Sequence, residues 1–407
     1  MKISQYQSHI RGVDALAKQI SVIVTTYNRP ENLERVLMSI AQQKGVEGKF
    51  ELIVSDDGSS DHTPSMVEEF GKSADFPVRF LTHPDQGFEL SRTRNDGVRE
   101  SEGDFLLLID GDCAIPPDHV ATHYNVRCKG VMRGLETQLW LTEEQSSRID
   151  LASIEDGSFL KEITWRQRFE LRKRACCSSF YSLIRHPRKP RLIGCNMGML
   201  REDYELINGC DERFGCWGHE DDDLNARMRA IGIRLKSIIG KTFTRHLWHP
   251  TAPSRPDDPA LGKNVRYFQR PVRLSKCMEG LTKRTWTDVT MSLSGKVQEG
   301  WMEKVVSKAP FKTVRTGAEI DVICVDDQTA FGIRAFNDSA DCKVLICKDV
   351  EDLHHQLVCE ADVLITQSQG LSVKGDPHTY MDHVGDWDRI TAWMSGEEVN
   401  TPAERAA

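Results

Sequence analysis

The chain has 407 residues, 39% of them hydrophobic, which is enough for ordinary buried cores in two or three domains. Its formal net charge is −8, so no global cationic surplus points to nucleic acid as a partner. No run of about 18 apolar residues occurs, and no transmembrane helix is expected.

Twelve cysteines include one adjacent pair, Cys176-Cys177, and no CxxC spacing. That pattern fits reduced thiols better than a disulfide framework. Residues 1–20 lack the long apolar stretch of a signal peptide. The expectation is a cytoplasmic chain.

Ile20-Ser-Val-Ile-Val24 is a β-branched run that reads as a buried strand, ended by polar Thr25, Thr26, Tyr27 and Asn28. Pro30 opens a helix, where a missing N–H is harmless, and Leu33, Val36, Leu37 and Ile40 follow at helical spacing. Phe50-Glu-Leu-Ile-Val54 predicts a second strand, ended by Ser55-Asp56-Asp57-Gly58. A helix carrying Met66, Val67 and Phe70 precedes a third strand over 78–81. A further helix around 92–99 leads to Phe105-Leu-Leu-Leu-Ile109, the most apolar strand of the chain, which stops at Asp110-Gly111-Asp112. Strands alternating with helices imply right-handed crossovers and a parallel sheet. Ligands bind at the carboxyl ends of such strands, so Thr25, Tyr27, Asp57, Asp110 and Asp112 are expected along one edge.

After about residue 125 the pattern loosens. Residues 161–191 hold ten Lys/Arg and two Glu, with Trp165, Phe169, Phe180 and Tyr181 interleaved. Order returns at the strand-like run 192–200. A helix is predicted over 220–232 with Leu224, Met228 and Ile231 inward, then a closing strand and turn over 243–250. Residues 253–259, with three prolines and paired aspartates, read as a linker. Beyond them, strand-like runs at 320–325, 343–347 and 361–365 suggest a small α/β appendage. The tail after Gly396 is expected to be disordered.

Chemistry concentrates in three places. Asp110-Gly111-Asp112 offers two carboxylates across a small residue, a hard oxygen set suited to Mg²⁺ or Mn²⁺. His246 and His249 could add an imidazole, which favours Mn²⁺ over Mg²⁺. Glu220-Asp221-Asp222-Asp223 follows Trp217-Gly218-His219 at a helix start. One or two acids there would satisfy the helix dipole. Four repel one another, and that repulsion can raise one pKa toward the range of a general base. The aromatic face of Trp217 suits the C–H face of a sugar.

In order along the chain, Ser21-Val-Ile-Val-Thr-Thr-Tyr-Asn-Arg-Pro30, Ile53-Val-Ser-Asp-Asp-Gly-Ser59, Arg94-Asn95-Asp-Gly97 and Asp110-Gly-Asp112 resemble the motifs of family 2 glycosyltransferases of the GT-A fold. Gly194-Cys-Asn-Met-Gly198, Asn208-Gly-Cys-Asp-Glu-Arg-Phe214 and Trp217-Gly-His-Glu-Asp-Asp-Asp-Leu224 look like the carboxyl-terminal segment of β-1,4-galactosyltransferases and chondroitin-polymerase-type enzymes. The resemblance covers about residues 20–250. It implies a mixed, mostly parallel, Rossmann-like sheet, with 1–260 as the transferase domain. Within it, 20–125 would form the nucleotide-sugar half and 126–250 the acceptor half. Residues 261–407 would form a separate domain of unassigned role.

The resemblance also implies an inverting transfer from a nucleotide-sugar, in the UDP-sugar class such as UDP-Gal, UDP-GalNAc or UDP-Glc, to a saccharide or lipid-linked acceptor in glycan or polysaccharide synthesis. Thr25, Tyr27 and Asp57 match positions that hold uridine, and Arg29 and Gly111 join the donor-binding set. Arg94 matches an arginine near the nucleotide or diphosphate. Asp110 matches the residue between ribose and metal, Asp112 the metal ligand, and His246 the late metal ligand, with His249 as a substitute. Asp221 matches the catalytic base and Glu220 a sugar contact, while Trp217, Gly218 and His219 border the acceptor. The sequence departs from the family at His219, where glycine is usual, and at Phe243, which replaces a methionine ligand.

Two other readings are weaker. A nucleotidyltransferase usually needs a Gly-rich loop and a lysine after the first strand, and Thr25 to Arg29 contains no glycine. A non-catalytic sugar- or nucleotide-binding protein needs no general base. The basic stretch 161–191 suits an anionic acceptor or the inner face of a membrane, as a peripheral contact.

Overall fold

The computed structural model describes residues 19–397, apart from 135–136, 162, 185, 187–188, 190–191, 252–254, 259–260, 298–299, 326–334, 348–354, 368–379 and 383–384. The leader reading for residues 1–18, the linker reading at 253, 254 and 259, and the tail from 398 onward lie outside the described residues. The chain divides into two compact units, residues 1–264 and 265–407.

The first unit begins with β1 (Ile20–Thr26), α1 (Pro30–Ala41), β2 (Phe50–Asp56), α2 (Thr63–Ser73), β3 (Val78–Thr82), α3 (Leu90–Glu100) and β4 (Phe105–Asp110). Then come β5 (Cys113–Ala114), α4 (His119–Asn125), β6 (Val131–Gly134), β7 (Gln138–Trp140), α5 (Glu143–Ser147), α6 (Leu151–Glu155) and α7 (Trp165–Leu183). It closes with β8 (Asn196–Leu200), α8 (Arg201–Leu206), α9 (Glu220–Ala230), β9 (Arg234–Ser237) and β10 (Thr244–His246).

Seven strands form one sheet in the order β3-β2-β1-β4-β8-β6-β9. The first four are mutually parallel, and β8 runs antiparallel to β4 and β6. Every residue of β1 and β2 is buried, as expected for central parallel strands covered on both faces. That is why these strands read as nearly unbroken apolar runs rather than as alternating ones. Helix α1 starts with Pro30 and buries Leu33, Val36, Leu37 and Ile40 completely. Four such side chains contribute about 6–12 kcal/mol of transfer free energy before conformational entropy is charged against it.

A second, three-stranded sheet has the order β5-β10-β7. It is short but decides the site. Antiparallel pairing sets His246 opposite Cys113, and the Leu247 N–H donates to the Asp112 carbonyl at 2.7 Å. The register therefore delivers His246 to the end of the Asp-Gly-Asp turn.

The second unit contains α10 (Asn264–Phe268, whose first residue still belongs to the first unit), β11 (Thr290–Gly295), α11 (Trp301–Ser307), β12 (Lys312–Thr313), β13 (Ile320–Val325) and β14 (Cys342–Cys347). It ends with α12 (His355–Glu360), β15 (Val363–Thr366), β16 (Tyr380–Asp382) and α13 (Trp387–Met394). Its six strands form an all-parallel sheet in the order β12-β11-β13-β14-β15-β16. The expected α/β appendage is thus a second doubly wound layer around its own core of Val322, Cys324, Val344, Ile346, Val363 and Ile390.

Two expectations need correction. Ile231 does not face inward: it lies beyond the end of α9 and is 38% exposed, while Leu224 and Met228 are fully buried. The loosened stretch after residue 160 is largely one 19-residue helix, α7, capped by Thr164 and Gln167 in a reciprocal capping box.

Candidate active site

The carboxyl ends of β1, β2 and β4 meet at one edge of the large sheet. Thr25 at the end of β1 donates its hydroxyl to Asp110 Oδ1 at 3.2 Å. The Gly111 N–H donates to the Thr25 carbonyl at 2.7 Å. A Cβ at Gly111 would lie 2.9 Å from that same carbonyl oxygen, so the turn requires glycine. This pins the Asp-Gly-Asp turn against β1 and sends its two carboxylates forward.

Asp112 is the centre of a cationic cluster. His246 Nε2 lies 3.3 Å from its Oδ1, and His249 Nε2 lies 3.2 Å from its Oδ2. Arg29 Nη1 donates to Oδ2 at 3.0 Å. Burial alone would push the Asp112 carboxyl up, but the His249 hydrogen bond and the charges of His246, His249 and Arg29 outweigh it and hold the group at about 2.

The orientation of the two rings tests whether a metal fits. His246 Nδ1 lies 3.1 Å from the Leu247 carbonyl and His249 Nδ1 lies 2.7 Å from the Pro250 carbonyl. A carbonyl only accepts, so the network assigns the proton to Nδ1 in both rings. In the neutral tautomer each Nε2 then aims a lone pair at a carboxylate oxygen, and a cation has to stand between them. The hydrogen bond to Asp112 favours a proton in that place on His249, raising it above its ordinary 6.5. A divalent cation can replace that proton, and backbone carbonyls orienting the rings from behind are the usual support for metal-binding histidines. Asp112, Cys113 and His246 offer ligand atoms within 4.8 Å of one another. The donor set fits a divalent ion that accepts nitrogen as well as oxygen.

The acid block divides among four jobs. Helix α9 starts at Glu220, directly after His219 in a left-handed conformation (φ 68°). Asp221 turns to the sheet edge, where Oδ1 accepts from Arg94 Nη1 at 2.9 Å and Oδ2 accepts from the Gly194 N–H at 2.7 Å. Glu220 accepts from the Gly218 N–H at 2.9 Å. Burial and the neighbouring Asp221 charge push its carboxyl up to about 8. Asp222 approaches His219 Nδ1 at 3.5 Å. Asp223 turns into the core and pairs with the fully buried Arg227 at 2.6 Å. The expected mutual repulsion is thereby relieved at Asp221 and Asp223, which face arginines, and falls on Glu220.

Arg94 is 2% exposed. It bridges the two acidic motifs, reaching Asp221 at 2.9 Å and Asp110 at 3.5 Å. Burial opposes its charge, but Asp221 and Asp110 more than restore it and hold its pKa well above the ordinary 12.5. Burial likewise raises Asp110, and Arg94 pulls it back. Gly194 leaves room for this pair, because a Cβ there would collide with both Asp221 and Arg94.

At the end of β2, Asp56 folds back onto its own turn and accepts from Ser59 and Thr82. Asp57 faces the edge instead. Its Oδ2 accepts from the Glu89 N–H and its Oδ1 from the Thr93 hydroxyl, both at 3.0 Å. Burial pushes its carboxyl up to about 6. Tyr27 is 42% exposed and donates to Asp85 at 2.9 Å.

Sequence reasoning missed three neighbours. His83 lies 3.4 Å from Asp57 and completes a group with Glu89. Trp140 stacks on His246 with centroids 3.9 Å apart yet stays 59% exposed. Gly194 was read only as part of a motif. None carries a local signal, since each gains its meaning from a partner dozens of residues away. The guanidinium of Arg255 lies 5.0 Å over the ring of Trp217. The Gly218 N–H donates to Glu220, and His219 lies beside Asp222.

Known proteins match this chain in two segments. The family described as "Glycosyl transferase family 2" matches residues 21–130, and "N-terminal domain of galactosyltransferase" matches 176–249. Validoxylamine A glucosyltransferase of Streptomyces hygroscopicus subsp. limoneus is 26% identical over 242 residues, covering 58% of this chain and 51% of that protein. Hyaluronan synthase of Pasteurella multocida is 26% identical over 267 residues, covering 60% of this chain and 26% of that protein. The chain thus spans about half, or less, of the length of these relatives. Among solved structures, mannosyltransferase PcManGT from Pyrobaculum calidifontis, in complex with GDP-Man and Mn²⁺, matches at 18% identity with a TM-score of 0.39, over 66% of this chain and 65% of that one. Residues 21–130 are thus similar to family 2 glycosyltransferases and residues 176–249 to the galactosyltransferase segment.

Proposed function

We propose that the first unit transfers a sugar from a nucleotide-sugar, in the UDP-sugar class, to a hydroxyl of a saccharide or lipid-linked acceptor, with inversion at the anomeric carbon. The observation that carries this reading is the convergence of Asp112, His246 and His249 on one point beside the Arg94-bridged pair of Asp110 and Asp221. Asp112 and His246 would hold a divalent cation, Mn²⁺ in preference to Mg²⁺, with His249 as a further ligand. Bound there, the cation supplies charge neutralisation for the departing diphosphate.

Asp221 takes the proton of the acceptor hydroxyl while that oxygen attacks the anomeric carbon and the bond to the diphosphate oxygen breaks. A base at the start of α9 is kept in one rotamer by its two hydrogen bonds, to Arg94 and to Gly194. Glu220, protonated near neutral pH, offers a sugar hydroxyl both a donor and an acceptor. Asp57 and Thr25 line the nucleoside end, with Tyr27 at the rim and Asp110 between ribose and metal. Arg29, the counter-cation of Asp112, would be free to meet the phosphates if a cation took over that charge.

Release of nucleoside diphosphate across a panel of UDP-, GDP- and dTDP-sugars with Mn²⁺ tests this. The proposal expects one UDP-sugar to be turned over fastest, with an Asp221→Asn variant losing acceptor transfer while still binding the nucleotide. An Asp221→Asn enzyme with normal transfer would remove the base assignment.

A further inference from the structure

Helix α7 carries a surface that the transfer reaction does not use. Its inward side packs on β9, with Ser178 buried and Arg174 donating to the Gln138 carbonyl at 2.9 Å and to Glu170 at 3.2 Å. Its outward side is apolar. Trp165 is 74% exposed, Phe169 64%, Phe180 56% and Leu183 80%.

At about 100° per residue these four side chains and the exposed Cys176 fall within one sector of about 60°. Arg172 borders that sector on one side and Lys173 on the other, both exposed, with Arg168 and Arg166 just beyond. The helix holds five basic residues and one acid, in a chain whose formal net charge is −8. Its acid, Glu170, is already engaged by Arg174.

We infer that this face of α7 docks the protein onto an anionic lipid surface. The chemistry requires an occupant that is apolar in the middle and negative at the margins. A bilayer interface supplies both, since aromatic rings partition to the headgroup level and basic side chains meet the anionic headgroups. A second copy of the chain fits poorly, because it would press Arg166, Arg168, Arg172 and Lys173 against their own counterparts with no free acid on the helix to answer them. No helix among the described residues is long and apolar enough to cross a membrane, so α7 lies on the surface rather than spanning it.

The inference stands apart from the sugar-transfer reading, because vesicle binding is measured without donor or acceptor. The full chain is floated with vesicles of phosphatidylcholine alone and of phosphatidylcholine mixed equally with phosphatidylglycerol. Binding is expected to the mixed vesicles only and to weaken as salt is raised. Each exposed charge removed should weaken it about fivefold, so Arg172→Gln with Lys173→Gln lowers the partition coefficient about thirtyfold. Brominated lipid should quench part of the tryptophan emission, and that part should vanish in Trp165→Phe while circular dichroism stays unchanged. Binding to neither vesicle would overturn the inference, and so would binding that is indifferent to the charge variants. Concentration-dependent dimerisation abolished by Phe169→Ala with Phe180→Ala would overturn it in favour of a second copy.

Discussion

Replacing Arg94 with glutamine removes the cation that holds two acidic motifs together, and the structure sets the size of the effect. At 2.9 Å from Asp221 and 3.5 Å from Asp110, the two charge pairs are worth about 6 and about 5 kcal/mol of Coulomb attraction at an effective dielectric of about 20. Most of that is cancelled by burying the guanidinium, which is 2% exposed. Removing one partner leaves the other charges uncompensated, which costs about 3–5 kcal/mol. That is a large part of the total stability of an ordinary domain, about 5–15 kcal/mol. Urea unfolding of the full chain, read on the transition that Arg94→Gln shifts, measures the loss. A double-mutant cycle with Asp221→Asn isolates the pair, and a coupling of at least about 1.5 kcal/mol is expected. Arg94→Lys should recover only part of the loss, because one ammonium cannot reproduce the planar fork that reaches both carboxylates. Additivity of the two single variants within about 0.5 kcal/mol would refute the bridge.

Glu220 links stability to pH. Its folded pKa of about 8 lies above its ordinary 4.5, so between those values the folded chain holds a proton that the unfolded chain has lost. Stability from this group therefore falls as pH rises through that window, with a slope of up to about 1.4 kcal/mol per pH unit for one proton. Glu220→Gln should flatten the curve of unfolding free energy between pH 5 and pH 8, by about that slope at most. Gly194→Ala should lower stability by about 1–3 kcal/mol through overpacking and reduce kcat by displacing Asp221, which parallel unfolding and kinetic measurements would show. His246→Ala should weaken Mn²⁺ binding, followed by the free-ion paramagnetic resonance signal, by no less than the tenfold or so typical of losing a mere supporting contact. His249→Ala should weaken it less if His249 is the auxiliary ligand.

The stretch from β1 to β4 was readable because its central strands, β1, β2 and β4, are buried on both faces. Ile20-Ser-Val-Ile-Val24 and Phe105 to Ile109 carry a signal that needs no partner, and the carboxyl-end rule then brings Asp57, Asp110 and Asp112 together. Helix α7 was not readable, because Trp165, Phe169 and Phe180 form a stripe that faces solvent rather than a core. Its apolar residues therefore looked like scatter within a basic run. Arg94 was recognised, but not its partner Asp221. Its distance from Asp221, 127 residues along the chain, is set by the whole sheet and not by any local pattern. The same holds for His249, whose ring joins Asp112 only because the short β10 strand pairs with β5. Asp223 shows the converse: a charged run looks uniform in sequence, yet one member is a core ion pair with Arg227.

The central claim is that Asp112 and its two imidazoles hold the cation that sugar transfer requires. Release of nucleoside diphosphate from the preferred nucleotide-sugar, measured with Mn²⁺, with excess chelator, and with an Asp112→Asn variant that retains the wild-type circular dichroism, tests it most directly. The account predicts turnover in Mn²⁺, its loss in chelator with recovery on adding Mn²⁺ back, and little turnover by Asp112→Asn at any metal concentration. Undiminished release in excess chelator, or normal turnover by Asp112→Asn, would contradict it.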